Sequence, residues 1–176
     1  MNKTMSVNKT TKNICFSAMF AAMVFGLTML HVPIGAGGYI HVGDAVIYVT
    51  ALLMGDPWAF ISAAIGAACA DLVSGFAVYA IPSAIIKVLI AVPFVLASKK
   101  QQSLLSVRTA LLTVISGIIT ILGYFVTDLI VYRAGAVADL PANVIQAVGS
   151  AVVFIVLAFA LDRAKIKLRF EKEIEK

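Results

Sequence analysis

Polar positions in this chain are confined to short gaps between long apolar runs. Residues 13–30 carry no charge, and neither do 109–127 or 140–161. Each run approaches or exceeds the roughly 20 residues that a helix needs to cross a bilayer core. No strict alternation of apolar and polar positions is present, which argues for helices rather than a transmembrane barrel. The pattern predicts an all-α, integral membrane six-helix bundle, with spans over 13–31, 44–55, 58–77, 80–98, 107–131 and 140–162. The second span is short: Asp44 and Asp56 enclose only eleven residues, about 16 Å of helix. It crosses only if Asp44 lies at the outer end or faces the protein interior. "GDPW" then reads as a tight turn in which Asp56 caps the third helix and Pro57 opens it. The chain divides into a terminal segment 1–12, the bundle 13–162 and a basic tail 163–176.

Composition agrees. The sequence is 61% hydrophobic and 13% charged, where soluble domains hold about a quarter charged residues. The charges that remain orient the chain. With the N-terminus inside, Lys3, Lys9 and Lys12, then Lys99, Lys100 and Arg108, then Arg163 and the tail are cytoplasmic: 12 of 14 basic residues. The positive-inside rule therefore predicts that both termini are cytoplasmic. The net charge of +5 needs no nucleic acid to explain it, and the tail reads as a continuation of the sixth helix into water beside anionic headgroups. The basic start followed by an apolar run resembles a signal peptide, but the run is too long, so it reads as a retained first helix. Cys15 and Cys69 fall in apolar runs as small fillers, with no metal-type spacing.

Within the spans, polar side chains gather in one half of the membrane. Asp71, Tyr79, Lys87, Tyr124, Asp128, Asn143 and Gln146 all fall in the outer halves of their helices, and Asp44 and Tyr48 open the second helix outside. The inner halves hold almost none. A charge near mid-membrane costs about 2.5–3.5 kcal/mol on insertion scales, so such groups face a partner or a cavity. A conduit would need polar groups through both leaflets; a half-depth set describes a pocket open to the outside with an apolar floor. Tyr48, Tyr79 and Tyr124 would offer flat faces to an aromatic ring. Lys87 could instead pair with Asp71 or Asp128 and merely join helices.

The stretch "HVPIGAGGYIHVGDAVIY" contains both histidines of the chain, His31 and His41, with Gly35, Gly37, Gly38 and Gly43. Its glycines and Tyr39 suit a gating loop over the pocket mouth, and His41 and Asp44 stand at the rim. On the first helix Ala18, Ala22 and Gly26 recur every four residues, and on the third so do Ser62, Gly66 and Ala70. Small residues at this spacing let helices approach closely in lipid, inside the bundle or against another membrane protein.

"GGYIHVGDAVIYVTALLMGDPWAFISAAIGAACADLVSG" followed by "YAIPSAIIKVLIA" resembles the S components of energy-coupling factor (ECF) vitamin transporters. The glycine-rich loop, the G-D that opens the second helix, the A-D-L-x-S-G and the lysine in the fourth helix carry the resemblance, strongest over 37–90. It implies a six-helix bacterial plasma-membrane protein that binds a vitamin near the outer face under loop 1, with no catalytic residues and no cofactor. It also implies partners: a transmembrane coupling protein and two ABC ATPases, the former docking on an A-x-x-x-A motif that Ala18 and Ala22 match. The chain has no G-x-x-x-x-G-K-[ST], so it cannot energise transport alone.

The branch it most resembles includes proposed carriers of hydroxymethylpyrimidine and pyridoxine, both small hydroxylated nitrogen rings. Asn143, Gln146 and the carboxylates could read such a ring through hydrogen bonds. Three rivals stay open. His31, His41 and Asp44 form a possible nitrogen and oxygen metal set, although metal-specific S components carry a histidine near the N-terminus that "MNKTMSV" lacks. Asp71, Asp128 and His41 could serve an intramembrane enzyme, for which no nucleophile motif is present. The polar groups of a scaffold would only join helices.

Overall fold

A computed structural model describes residues 8–34, 38–99 and 101–175. Seven helices and one small hairpin follow in order: α1 (Lys9–Met29), β1 (Val32–Ile34), β2 (Gly38–Ile40), α2 (Gly43–Met54), α3 (Trp58–Val73), α4 (Ala80–Ser98), α5 (Val107–Tyr132), α6 (Ala136–Arg163) and α7 (Ile166–Glu175). Short 3-10 turns at Ala77–Tyr79 and Arg133–Gly135 lead into α4 and α6. The expected all-α architecture is found, with a small hairpin and a seventh helix, α7, added to the expected six.

The shortness of α2 has a structural reason. Every residue from Gly43 to Leu52 is buried, and the helix is packed by α1, α4 and α6 and, less closely, by α3. A helix that is apolar all round belongs in a core, and one sheathed by protein need not match the thickness of lipid. Among the described residues four helical segments are long and apolar enough to cross a membrane: Lys9–Met29, Ala77–Ser98, Val107–Tyr132 and Ala136–Arg163. Their outward faces are greasy, as at Ile81, Ile130 and Val156, which suits a lipid solvent. The outer helices pair as α1 with α3, α3 with α4, α4 with α5 and α5 with α6.

Helix ends are tied by local chemistry. The Ser106 hydroxyl and the Thr109 side chain form a reciprocal capping box at the start of α5. The Asp162 carboxylate of α6 accepts the backbone N–H groups of Leu104 and Leu105, both at 2.8 Å, and so fixes the loop before α5. At "GDPW" the expected cap is not made: Pro57 precedes α3 with no side-chain cap, and Asp56 lies 3.8 Å from Lys99 instead. Gly55, at φ 68°, holds the left-handed turn that ends α2.

The tail does not extend α6. The chain turns at Ala164–Lys165 and α7 folds back under the bundle. Phe170 sits 4.7 Å from the Phe16 ring and 6.1 Å from that of Phe20. Lys12 donates to the Glu173 carbonyl, and Lys167 donates to the carbonyls of Ser98 and Gln101. Burial pushes the Lys167 ammonium down, against the pull of Glu171 and Asp162. An amphipathic segment with Phe170 on one side gains more by covering the base than by standing in water. These contacts put Lys12, Lys99 and Lys167 at one end of the bundle.

Candidate functional site

The opposite end holds a polar cavity built by the mouths of five elements. Four-residue spacing does most of the placing. Where the 3-10 turn runs into α4, Tyr79, Ser83 and Lys87 share a face; on the end of α5, Tyr124 and Asp128 do; on α6, Asp139, Asn143 and Gln146 do. Asp71 arrives from the end of α3, and His41 from the link between the hairpin and α2. With Ala142 they line a pocket of about 430 Å³, a volume that includes open solvent at its mouth.

Tyr79 and Asp128 are joined directly, the phenol donating to Oδ1 at 2.6 Å. Ser83 Oγ and the Tyr124 hydroxyl lie 3.0 Å apart. His41 Nδ1 accepts the backbone N–H of Gly43 at 3.0 Å, which leaves the ring proton on Nε2. Burial first, and then the Lys87 ammonium, hold this imidazole down at about 3, against the opposing pull of Asp44. It is therefore neutral at physiological pH. Gly43 has no room for a side chain: an added Cβ would lie 2.5 Å from Thr28 Oγ1 and 3.0 Å from His41 Nδ1. Its part is close packing that seats His41, so the expectation that it belongs to a flexible gate gives way at this position.

Seven of the ten expected binding residues line this cavity: His41, Asp71, Tyr79 and Tyr124, with Asp128, Asn143 and Gln146. Three do not. Lys87 Nζ lies 2.7 Å from Asp44 Oδ1, with the pair 1% and 0% exposed. Gln146 Nε2 donates to the other Asp44 oxygen at 3.3 Å, and the ammonium sits 4.9 Å from the centre of the Tyr124 ring. Lys87 and Asp44 thus form a buried strut behind the cavity wall, and the lysine's partner is Asp44 rather than Asp71 or Asp128. Tyr48 lies deeper still, stacked on Phe94 at 4.5 Å and edge-on to Phe154 at 5.7 Å. It is core: fully buried, with its ring packed between aromatic partners.

The cavity also contains two polar side chains that were not picked out from the sequence as ligand contacts, Ser83 and Asp139. Asp139 lies one residue before the apolar span 140–162, so hydropathy alone leaves it outside the membrane helix. The helix begins at Ala136, and the i, i+4, i+7 spacing of Asp139, Asn143 and Gln146 was the available signal.

The gate residues Gly35 and Gly37 lie outside the described residues. Gly38 and Tyr39 belong to β2, which pairs antiparallel with β1 in the register Val32 to Ile40 and Pro33 to Tyr39. Strand β2 packs on α6, so the hairpin lies beside the cavity. His31 does not join His41 in a ligand set. It approaches the Thr28 carbonyl at 3.2 Å and meets the Phe76 ring edge-on. Among the described residues no group of three His, Cys, Asp or Glu is arranged to hold a metal ion.

On α1, Ala18, Ala22 and Gly26 are exposed, and nothing lies within 4 Å of where a Gly26 Cβ would stand. Beside Ala18 and Ala22 runs an apolar groove between α1 and α3, walled by Ile14, Phe25, Ile61 and Ile65. The small row of α3 points the other way. An added Cβ on Gly66 would lie 2.6 Å from the Ala21 carbonyl oxygen and 2.8 Å from Val24 Cβ, so that glycine serves the α1–α3 crossing.

A family model described as "ECF-type riboflavin transporter, S component" matches residues 8–163. No curated protein matches the chain.

Proposed function

The chain belongs to the ECF-type riboflavin transporter S component family, and from that premise we propose that it binds a small single-ring vitamin or precursor, hydroxymethylpyrimidine or pyridoxine, for import. The family is one of transporter components, not enzymes, and its members are membrane proteins that serve an ECF module. The observation that carries the finer reading is the polar cavity at one end of an otherwise apolar bundle. Carboxylates, amides and phenols converge there, a set of donors and acceptors suited to one hydroxylated ring.

The basic end of the bundle is the cytoplasmic one by the positive-inside rule, so the cavity opens outward, with the hairpin beside it. The exposed face of Ala18 and Ala22 and the groove beside it serve to dock the coupling protein, which in turn carries two ABC ATPases. Small residues there allow close helix contact without a polar partner. Riboflavin is the second reading, favoured by the family's description.

Equilibrium binding of radiolabelled hydroxymethylpyrimidine, pyridoxine and riboflavin to the detergent-purified chain separates these readings. Submicromolar retention of either single-ring compound, unaltered after long incubation, is expected. Retention of riboflavin alone would move the substrate to the flavin. Conversion of any ligand into a new species would move the protein out of the transporter reading.

A further inference from the structure

Among the described residues the cavity is lined by three carboxylates, Asp71, Asp128 and Asp139, and by no lysine or arginine. The nearby cation, Lys87, is engaged by Asp44 behind the wall. Asp128 receives the Tyr79 hydroxyl. Asp139 differs from both. It is 3% exposed, and neither of its oxygens accepts a hydrogen bond. It stands in the first turn of α6, where a carboxylate often caps the helix, yet it caps nothing. A buried carboxylate without a donor is costly, and a ligand that brings the donor recovers that cost on binding.

We propose that Asp139 is the residue that selects the ligand, and that the cavity takes a ring bearing N–H or O–H donors or a positive charge, such as an aminopyrimidine, while rejecting anionic vitamins. The inference rests on the reading of this cavity as the vitamin site. The ligand edge that meets this face of α6 must therefore offer a donor to Asp139. An amino group on the ring supplies one. A carboxylate ligand would leave Asp139 unpaired and add a like charge, which is rejection by construction.

Calorimetric titration of the full chain in detergent tests this, with hydroxymethylpyrimidine, thiamine, riboflavin and pantothenate as probes. Hydroxymethylpyrimidine is expected to bind and pantothenate to fail. Asp139→Asn keeps the shape and is expected to weaken the best-bound probe about ten- to a hundredfold, with the unfolding midpoint unchanged or raised. Unchanged affinity in Asp139→Asn would overturn the assignment. Pantothenate bound more tightly than the pyrimidine would also overturn it, while leaving the vitamin-carrier reading intact. Failure of the wild-type chain to bind any probe would remove both. Should Asp139→Asn not fold, mass spectrometry of the molecule that co-purifies with the wild type decides: a base or cation supports the assignment, a carboxylate or phosphate sinks it.

Discussion

Lys87 shows how one residue changes meaning between sequence and structure. A lysine in an apolar helix marks a site or a strut, and hydropathy does not separate the two. Here its ammonium is held by Asp44 at 2.7 Å, both fully sheltered, and Gln146 takes the second carboxylate oxygen. Removing one partner of a buried pair strands the other charge, at a cost of about 3–5 kcal/mol. Lys87→Met is therefore expected to lower the thermal midpoint of the detergent-purified protein sharply, and adding Asp44→Leu is expected to recover most of the loss. A single variant as stable as the wild type would show that the pair carries no structural weight. The acidic residues were legible as types but not as roles. Asp44, Asp128 and Asp139 are alike in the sequence; one is ion-paired, one accepts a phenol, one is left for a ligand.

At the scale of elements, two helices bear small residues at the same spacing and use them oppositely. Gly66 of α3 meets the backbone of α1 at Ala21. Ala18, Ala22 and Gly26 of α1 face away from the bundle. Gly66→Leu is expected to prevent the α1–α3 crossing and abolish accumulation of folded protein. Ala18→Trp with Ala22→Trp is expected to leave folding and ligand binding intact and to block uptake in cells that contain the coupling module. Normal uptake in that double variant would take the α1 face out of the docking role. Periodicity identified both rows. Only the packing of α1 on α3 assigned one inward and one outward, because spacing says which residues share a face and not which face is covered.

For the whole molecule, the two ends do different work. One end is stapled by α7, Asp162 and the basic carbonyl-binding lysines; the other holds the cavity and His41. That histidine makes the fold sensitive to acid. Its ordinary value is 6.5 and its folded value about 3. Between these values the unfolded chain binds a proton that the folded chain refuses, so stability falls as pH drops below about 6.5. The midpoint of unfolding is expected to decline from pH 7.5 to pH 5, and His41→Gln, which retains an acceptor for the Gly43 N–H, is expected to flatten that decline. A slope unaltered by the substitution would show that the imidazole titrates freely.

The amino-acid pattern by itself determined that this is a helical membrane protein, that its polar groups gather toward one end, and that its termini carry the basic charge. Those properties follow from transfer free energies and helical periodicity, which act locally along the chain. What the tertiary structure decided is which polar groups are consumed by one another. The sequence offered Lys87, Asp44 and Tyr48 as ligand contacts, and the fold turned the first two into a strut and the third into core. It left Asp139 buried and unpartnered at the cavity. Pairing depends on distances between helices remote in the chain, and no local rule contains them.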